Sequence, residues 1–166
     1  MPFVVFLLIA LAFYAGLKRE NPDELPSVLI GNFAPKLNLT PLGEKEIPTV
    51  NDLKSNEIKF VNFWASWCVP CRAEHDIINF ISDSGYKVIG VNYKDKQKNA
   101  LLFLDELGDP FFKVGSDTSG RTGINWGLYG IPETFILDSQ GKVLLRHPGP
   151  ITLSVFENKF LPLIKK

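Results

Sequence analysis

The run Glu57-Ile58-Lys59-Phe60-Val61-Asn62-Phe63-Trp64 is dominated by apolar, strand-favouring residues. After Ala65-Ser66 it is followed by Trp67-Cys68-Val69-Pro70-Cys71, which holds the only two cysteines of the chain. An apolar run of this length predicts a strand buried on both faces. The residues beyond Cys71 take up helical spacing, so the cysteine pair falls where a central strand hands over to a helix. Two thiols separated by two residues at such a point can close a small-ring disulfide. At a helix N-terminus, unpaired N–H groups and the positive end of the macrodipole stabilise a thiolate, drawing the pKa of Cys68 down from roughly 8.5 towards neutrality. Such a thiolate can attack a disulfide on another molecule, and Cys71 can then resolve the mixed disulfide. Two other readings weigh less. A structural zinc site needs about four ligands, and the chain offers two cysteines and two scattered histidines, His75 and His147. A CxxC loop is too short to staple a fold.

The remaining pattern alternates strands with helices. An edge strand is predicted over Lys36–Leu42 and a helical turn over Val50–Lys54. The helix after the cysteines is expected over Val69–Ser82, a second buried strand over Lys87–Tyr93 and a second helix over Lys96–Leu107. A short strand at Phe111–Val114 and a short helix at Thr122–Gly127 follow. Strands at Thr134–Leu137 and Lys142–Arg146 flank the turn Asp138-Ser139-Gln140-Gly141, and Thr152–Leu161 closes the chain as a helix. This order implies an α/β architecture, with a central mixed β-sheet flanked by helices. The CxxC then lies at the C-terminal end of a central strand, where such sheets place their sites.

The first 17 residues, Met1 to Leu17, carry no charge, which meets the lower bound of about 17 residues for a membrane-spanning helix. We read them as a membrane anchor helix. A cleaved signal peptide would want a basic start and an A-x-A site, which Ala10-Leu11-Ala12 fits only loosely; a core helix would want a polar face. Residues 18–30 are polar with two prolines and read as a tether, leaving 31–166 as one domain. Lys18 and Arg19 follow the apolar span and no basic residue precedes it, so local charge does not favour export of the C-terminal part. Basic and acidic residues balance at 18 each, and no basic tract interleaved with aromatics suggests nucleic acid as a partner.

Several blocks carry a resemblance to a known family. They are Leu25-Pro-Ser-Val-Leu-Ile-Gly31, Ala34-Pro35, Val61 to His75 around the cysteines, Gly90-Val-Asn-Tyr-Lys-Asp95, Trp126 to Phe135, and His147-Pro-Gly-Pro150. Together they resemble the thioredoxin superfamily, and within it the membrane-anchored thiol:disulfide interchange proteins of cytochrome c maturation (the DsbE/CcmG type). The resemblance implies a thioredoxin-like fold and a single-pass protein of the inner membrane, its soluble domain facing the periplasm. It implies reduction of the apocytochrome c disulfide before haem attachment, and recharging by a membrane electron donor of the DsbD/CcdA kind. No cofactor beyond the Cys68–Cys71 disulfide is implied, and no metal. A general envelope disulfide oxidoreductase and a copper-delivery module on the same fold are the rivals.

The resemblance also frames the candidate site residues. Cys68 is the expected nucleophile and Cys71 the resolving thiol. Glu74, three residues on along the same helical face, is expected to handle the proton of Cys71, against the alternative of a solvated carboxylate paired with Arg72. Glu133 is expected to approach the sulfurs across the groove, against the alternative of an exposed loop acid. Trp67 with Ile131 and Pro132 should line the substrate groove, the Ile131–Pro132 bond being cis. Trp64 reads as core, Trp126 as core or groove, and His75 and His147 as structural or surface groups. The chain departs from the pattern at Asn62, where thioredoxins bury an aspartate, at Asp76, where they carry a proline, and at Asn125. The segment Asp95–Thr122 exceeds a minimal thioredoxin and is a candidate for discriminating partners.

Overall fold

A computed structural model of the protein describes residues 2–17 and 27–164. Its strands are β1 (Thr40–Pro41), β2 (Lys59–Trp64), β3 (Lys87–Tyr93), β4 (Lys113–Asp117), β5 (Glu133–Leu137) and β6 (Val143–Pro148), which form one sheet in the order β1-β4-β3-β2-β5-β6. The neighbours β2, β3 and β4 run parallel; β1 against β4, β5 against β2 and β6 against β5 run antiparallel. The helices are α1 (Pro2–Leu17), α2 (Val50–Leu53), α3 (Val69–Asp83), α4 (Gln97–Leu107), α5 (Arg121–Asn125), α6 (Leu153–Val155) and α7 (Leu161–Ile164), with π-helical Phe156–Phe160 joining the last two. A mixed sheet flanked by helices is the architecture the sequence predicts.

Alternation along β2 sorts its side chains between two apolar layers. Phe60 and Trp64 pack with Cys68, Cys71, Ile78, Phe103, Leu104 and Phe160 beneath α3, α4 and the C-terminal helices. Val61 and Phe63 pack with Leu53, Trp126, Phe135 and Leu137 on the other side. Every residue of β2 is buried. Each such Phe or Leu contributes about 1.5–3 kcal/mol by leaving water, so β2 is the element around which both layers form. Asn62, between Phe60 and Trp64, necessarily points into the α3 layer.

Some boundaries differ from expectation. The edge strand predicted over Lys36–Leu42 narrows to the two residues of β1. Pro35, Pro41 and Pro48 crowd this stretch, and proline cannot donate to a ladder. The strand expected at Phe111–Val114 sits further along, at Lys113–Asp117, where Ile89↔Lys113 sets the register with β3.

The anchor and tether assignments fall at the limits of the described residues. Helix α1 spans 16 residues, exposed over residues 2–16, and no helix among the described residues is long and apolar enough to cross a membrane. Met1 and residues 18–26 of the expected tether lie outside the described residues. The last tether residue, Ile30, forms a bridge to Val143 at the start of β6. Gly31 donates its N–H to Val143 O (2.8 Å), Val143 donates to Asn32 O (2.9 Å), and Leu29 packs against the Phe63–Phe135 layer.

Candidate active site

The β2–α3 connection is three residues long, Ala65-Ser66-Trp67, and it delivers Cys68 to the N-cap of α3 with extended backbone angles (φ −88°, ψ 107°). A helix leaves its first N–H groups without partners, and cap side chains fill that need. Here the cap atom is sulfur: Cys68 Sγ accepts the N–H of Cys71 at 3.1 Å. Pro70, in the first helical turn, lacks an N–H where none is needed. Cys68 and Cys71 are joined as a disulfide. Both residues are buried, at 4% and 2% exposed. When the disulfide opens, the N–H already aimed at the Cys68 sulfur stabilises its thiolate, as does the positive end of the 15-residue helix.

One turn further, Glu74 is buried at 1% exposure. Its Oε1 accepts from Asn62 Nδ2 at 2.9 Å, and its Oε2 accepts from the Ile151 N–H at 2.8 Å. Asn62 Nδ2 also donates to Thr134 Oγ1 at 3.0 Å, so β2, α3, β5 and the segment before α6 converge on this carboxyl. No cation faces it in an ion pair among the described residues. Burial pushes its pKa up to about 7, against the opposite pull of the Ile151 and Asn62 hydrogen bonds. An i, i+3 relation puts Glu74 on the helical face of Cys71. The site thus holds a buried carboxyl able to change its charge near neutral pH, one turn of α3 beyond the deeper sulfur.

Glu133 occupies a different place from the expected one. It opposes Phe63 across the β2–β5 ladder, whereas Thr134 opposes Asn62. By alternation its side chain enters the Phe63–Phe135–Trp126 layer, on the face away from Glu74. There it is fully buried, ion-paired to Arg146 Nε and hydrogen-bonded by the Tyr129 N–H at 3.2 Å. Burial raises its pKa, with Arg146 and the backbone donors of Tyr129 and Gly130 pulling the other way. Arg146 also donates to Gly127 O at 2.6 Å and stacks 3.8 Å from the centre of the Tyr129 ring. The two acids, each expected near the sulfurs, therefore lie on opposite faces of the sheet. Glu133 is the anionic half of a buried pair that ties the Gly127–Gly130 loop to β6.

The groove residues fall as follows. The Ile131–Pro132 peptide is cis. Ile131 packs against both apolar layers, including the one holding Cys68 and Cys71. Trp67, next to Cys68 in the chain, is 57% exposed, its indole N–H donating to Lys94 O at 3.1 Å. Trp64 and Trp126 are both core. His75 is buried edge-on to Phe103 with Nε2 2.9 Å from Gly108 O, and His147 lies edge-on to Phe160; both serve packing. No three His, Cys, Asp or Glu side chains among the described residues are grouped to hold a metal ion.

Two contributions were missed from the sequence. Ile151, after the His147-Pro-Gly-Pro150 block, supplies a backbone donor to Glu74, and a main-chain N–H carries no residue signal. Asp95, given above as the end of one block and the start of the Asp95–Thr122 segment but not as a site residue, reaches Ser66 two residues before Cys68.

Comparison with known proteins fits this geometry. The Redoxin family model matches residues 29–159. Thiol:disulfide interchange protein HelX of Rhodobacter capsulatus is 40% identical over 164 residues, covering 99% of this chain and 93% of that protein. Thiol:disulfide interchange protein DsbE of Yersinia pestis is 40% identical over 172 residues, covering all of this chain and 91% of that protein. Among solved structures, a secreted thiol-disulfide isomerase of Corynebacterium glutamicum superposes with a TM-score of 0.70 at 22% identity, over 89% of this chain and 97% of that one, which speaks to the fold alone.

Proposed function

The chain belongs to the Redoxin family of thioredoxin-like proteins and is a protein-disulfide oxidoreductase, and from that premise we propose that it reduces the Cys-x-x-Cys-His disulfide of apocytochrome c before haem attachment. The observation that carries the reading is the pairing of a helix-capping Cys68–Cys71 disulfide with a buried Glu74 whose pKa lies at about 7.

In the reducing direction the enzyme begins as a dithiol. The Cys68 thiolate attacks one sulfur of the client cystine, and the other client sulfur leaves as a thiolate that takes a proton from solvent. Cys71 then loses its proton to Glu74 and attacks Cys68 Sγ. The second client sulfur leaves and is protonated in turn. Two electrons have passed to the client, and the enzyme carries the Cys68–Cys71 disulfide. A membrane dithiol donor of the DsbD/CcdA kind returns them by the same exchange. Trp67, Ile131 and Pro132 form the apolar rim against which the client segment lies, and α1 holds the domain at the inner membrane on its periplasmic side.

Cys71→Ala tests the reading. With the resolving sulfur gone, the client stays bound to Cys68 as a mixed disulfide that can be isolated from cells and identified. Capture of apocytochromes or their maturation proteins is the expected result. A catch dominated by unrelated envelope proteins would replace this reading with general disulfide exchange.

A further inference from the structure

We propose that Asp95 is a positioning residue for the attacking sulfur, an inference that rests on Cys68 being the nucleophile. Its carboxylate collects four donors: Oδ2 accepts from the Ser66 N–H (2.6 Å) and Asn92 Nδ2 (3.0 Å), while Oδ1 accepts from the Ser66 hydroxyl (2.8 Å) and the Lys96 N–H (2.7 Å). Hydrogen bonds to an ionised acceptor are about twice as strong as neutral ones. Two of the four are local to the β3–α4 loop. The other two reach 29 positions back along the chain to Ser66, in the three-residue connection that carries Cys68.

The residue before Asp95 makes a second, independent tie to the same connection. Lys94 O receives the indole N–H of Trp67 at 3.1 Å, and Lys94 donates its own N–H to Asp117 O at 3.0 Å. Lys94 sits at φ 45°, the only non-glycine residue with positive φ among the described residues. A lysine in the left-handed region costs free energy and persists only where its surroundings hold it. That conformation turns the Lys94 carbonyl towards Trp67 and the Asp95 carboxylate towards Ser66. The connection is thus fixed at its start by the end of β2, at Ser66 by Asp95 and at Trp67 by Lys94. Cys68 then donates its N–H to Ala65 O (3.2 Å) and caps α3 with its sulfur. Losing the Ser66 tie leaves the N-cap sulfur free to swing off the helix axis, and the thiolate loses the N–H and dipole that stabilise it.

The Asp95 charge taken alone would act in the other direction, since a nearby anion disfavours a thiolate. Two variants separate position from charge. Asp95→Ala removes both, whereas Asp95→Asn removes the charge but keeps an oxygen able to accept the Ser66 N–H. The measurement is the rate of Cys68 alkylation by iodoacetamide in the reduced full-length protein across pH, with thermal unfolding recorded alongside. The expected result is an Asp95→Ala rate at pH 7 about three- to fivefold below the parent, its half-maximal pH displaced upward, with Asp95→Asn close to the parent. An Asp95→Ala profile equal to the parent, or faster alkylation in both variants, overturns the proposal. Lower thermal stability with an unmoved pH profile does the same, because Asp95 would then only brace the loop. Should Asp95→Ala not fold, Asp95→Ser, whose side chain is too short to make the same tie to Ser66, decides by the same readout: slower alkylation supports the positioning role and a parental profile ends it. A parent Cys68 no more reactive than free cysteine would instead undo the nucleophile assignment beneath the proposal.

Discussion

Glu74 shows how much one substitution elsewhere can decide. Asn62 stands where thioredoxins bury an acid, and an amide cannot titrate. It donates to Glu74 and leaves that carboxyl as the member of the pair able to titrate, one helical turn beyond Cys71. The pKa of Glu74 rises from the usual 4.5 to about 7 because burial penalises the charged form. Its proton is therefore held more tightly in the folded state than in the unfolded one. The stabilisation this gives is fully present below about pH 4.5 and is lost as pH rises through about 7. The difference, 7 minus 4.5, corresponds to about 3 kcal/mol. Glu74→Gln should flatten that part of the stability profile, as read by urea unfolding at pH 5 and pH 8. In single-turnover reduction of a disulfide peptide it should also slow release of the mixed disulfide while leaving the first attack unchanged. Identical release rates across pH in the two proteins would take Glu74 out of the chemistry.

Elements were more legible than the contacts between them. The buried runs at β2 and β3 and the amphipathic α3 announce themselves through period and composition, and Cys68-Val-Pro-Cys71 marks the start of α3 through its proline. The error over Glu133 is one of parity. Which face a side chain takes at the start of β5 depends on the Phe63↔Glu133 register, a partnership 70 residues distant that no local pattern carries. The short β1 was readable in principle from its prolines. Gly90 illustrates a tolerance fixed by neighbours rather than by β3 itself. A Cβ there would lie 2.8 Å from the Phe111 ring and from Val114 Cγ2, and Phe111 in turn stacks on Trp64 at 5.4 Å. Gly90→Ala should destabilise the domain by about 1–3 kcal/mol through overpacking, lowering the urea midpoint with the slope unchanged. A parental midpoint would mean that the Phe111–Trp64 stack gives way freely.

At the scale of the whole molecule, the reach of the domain towards its N-terminus matters most. Ile30–Ala34 are stitched to Gly141–Val143 at the start of β6 and Leu29 packs against the same layer, so the folded unit extends two residues beyond the boundary the polar composition suggests. Removal of residues 1–26 should leave thermal stability unchanged and free the domain from membranes, whereas removal of 1–34 should cost about 1–3 kcal/mol through the lost ladder bonds and exposed Val143. Carbonate extraction of the full-length protein from membranes would contradict an anchoring role for α1. The depth of the disulfide has its own consequence. Sulfur exchange needs three sulfurs in line, and a sulfur on a residue as buried as Cys68 is met that way most readily by a client able to push its own cystine inward. Pliable, unfinished chains can do so; a cystine locked within a mature globule cannot. Exchange is therefore expected to run faster with an unfolded disulfide peptide than with the cystine of a folded protein.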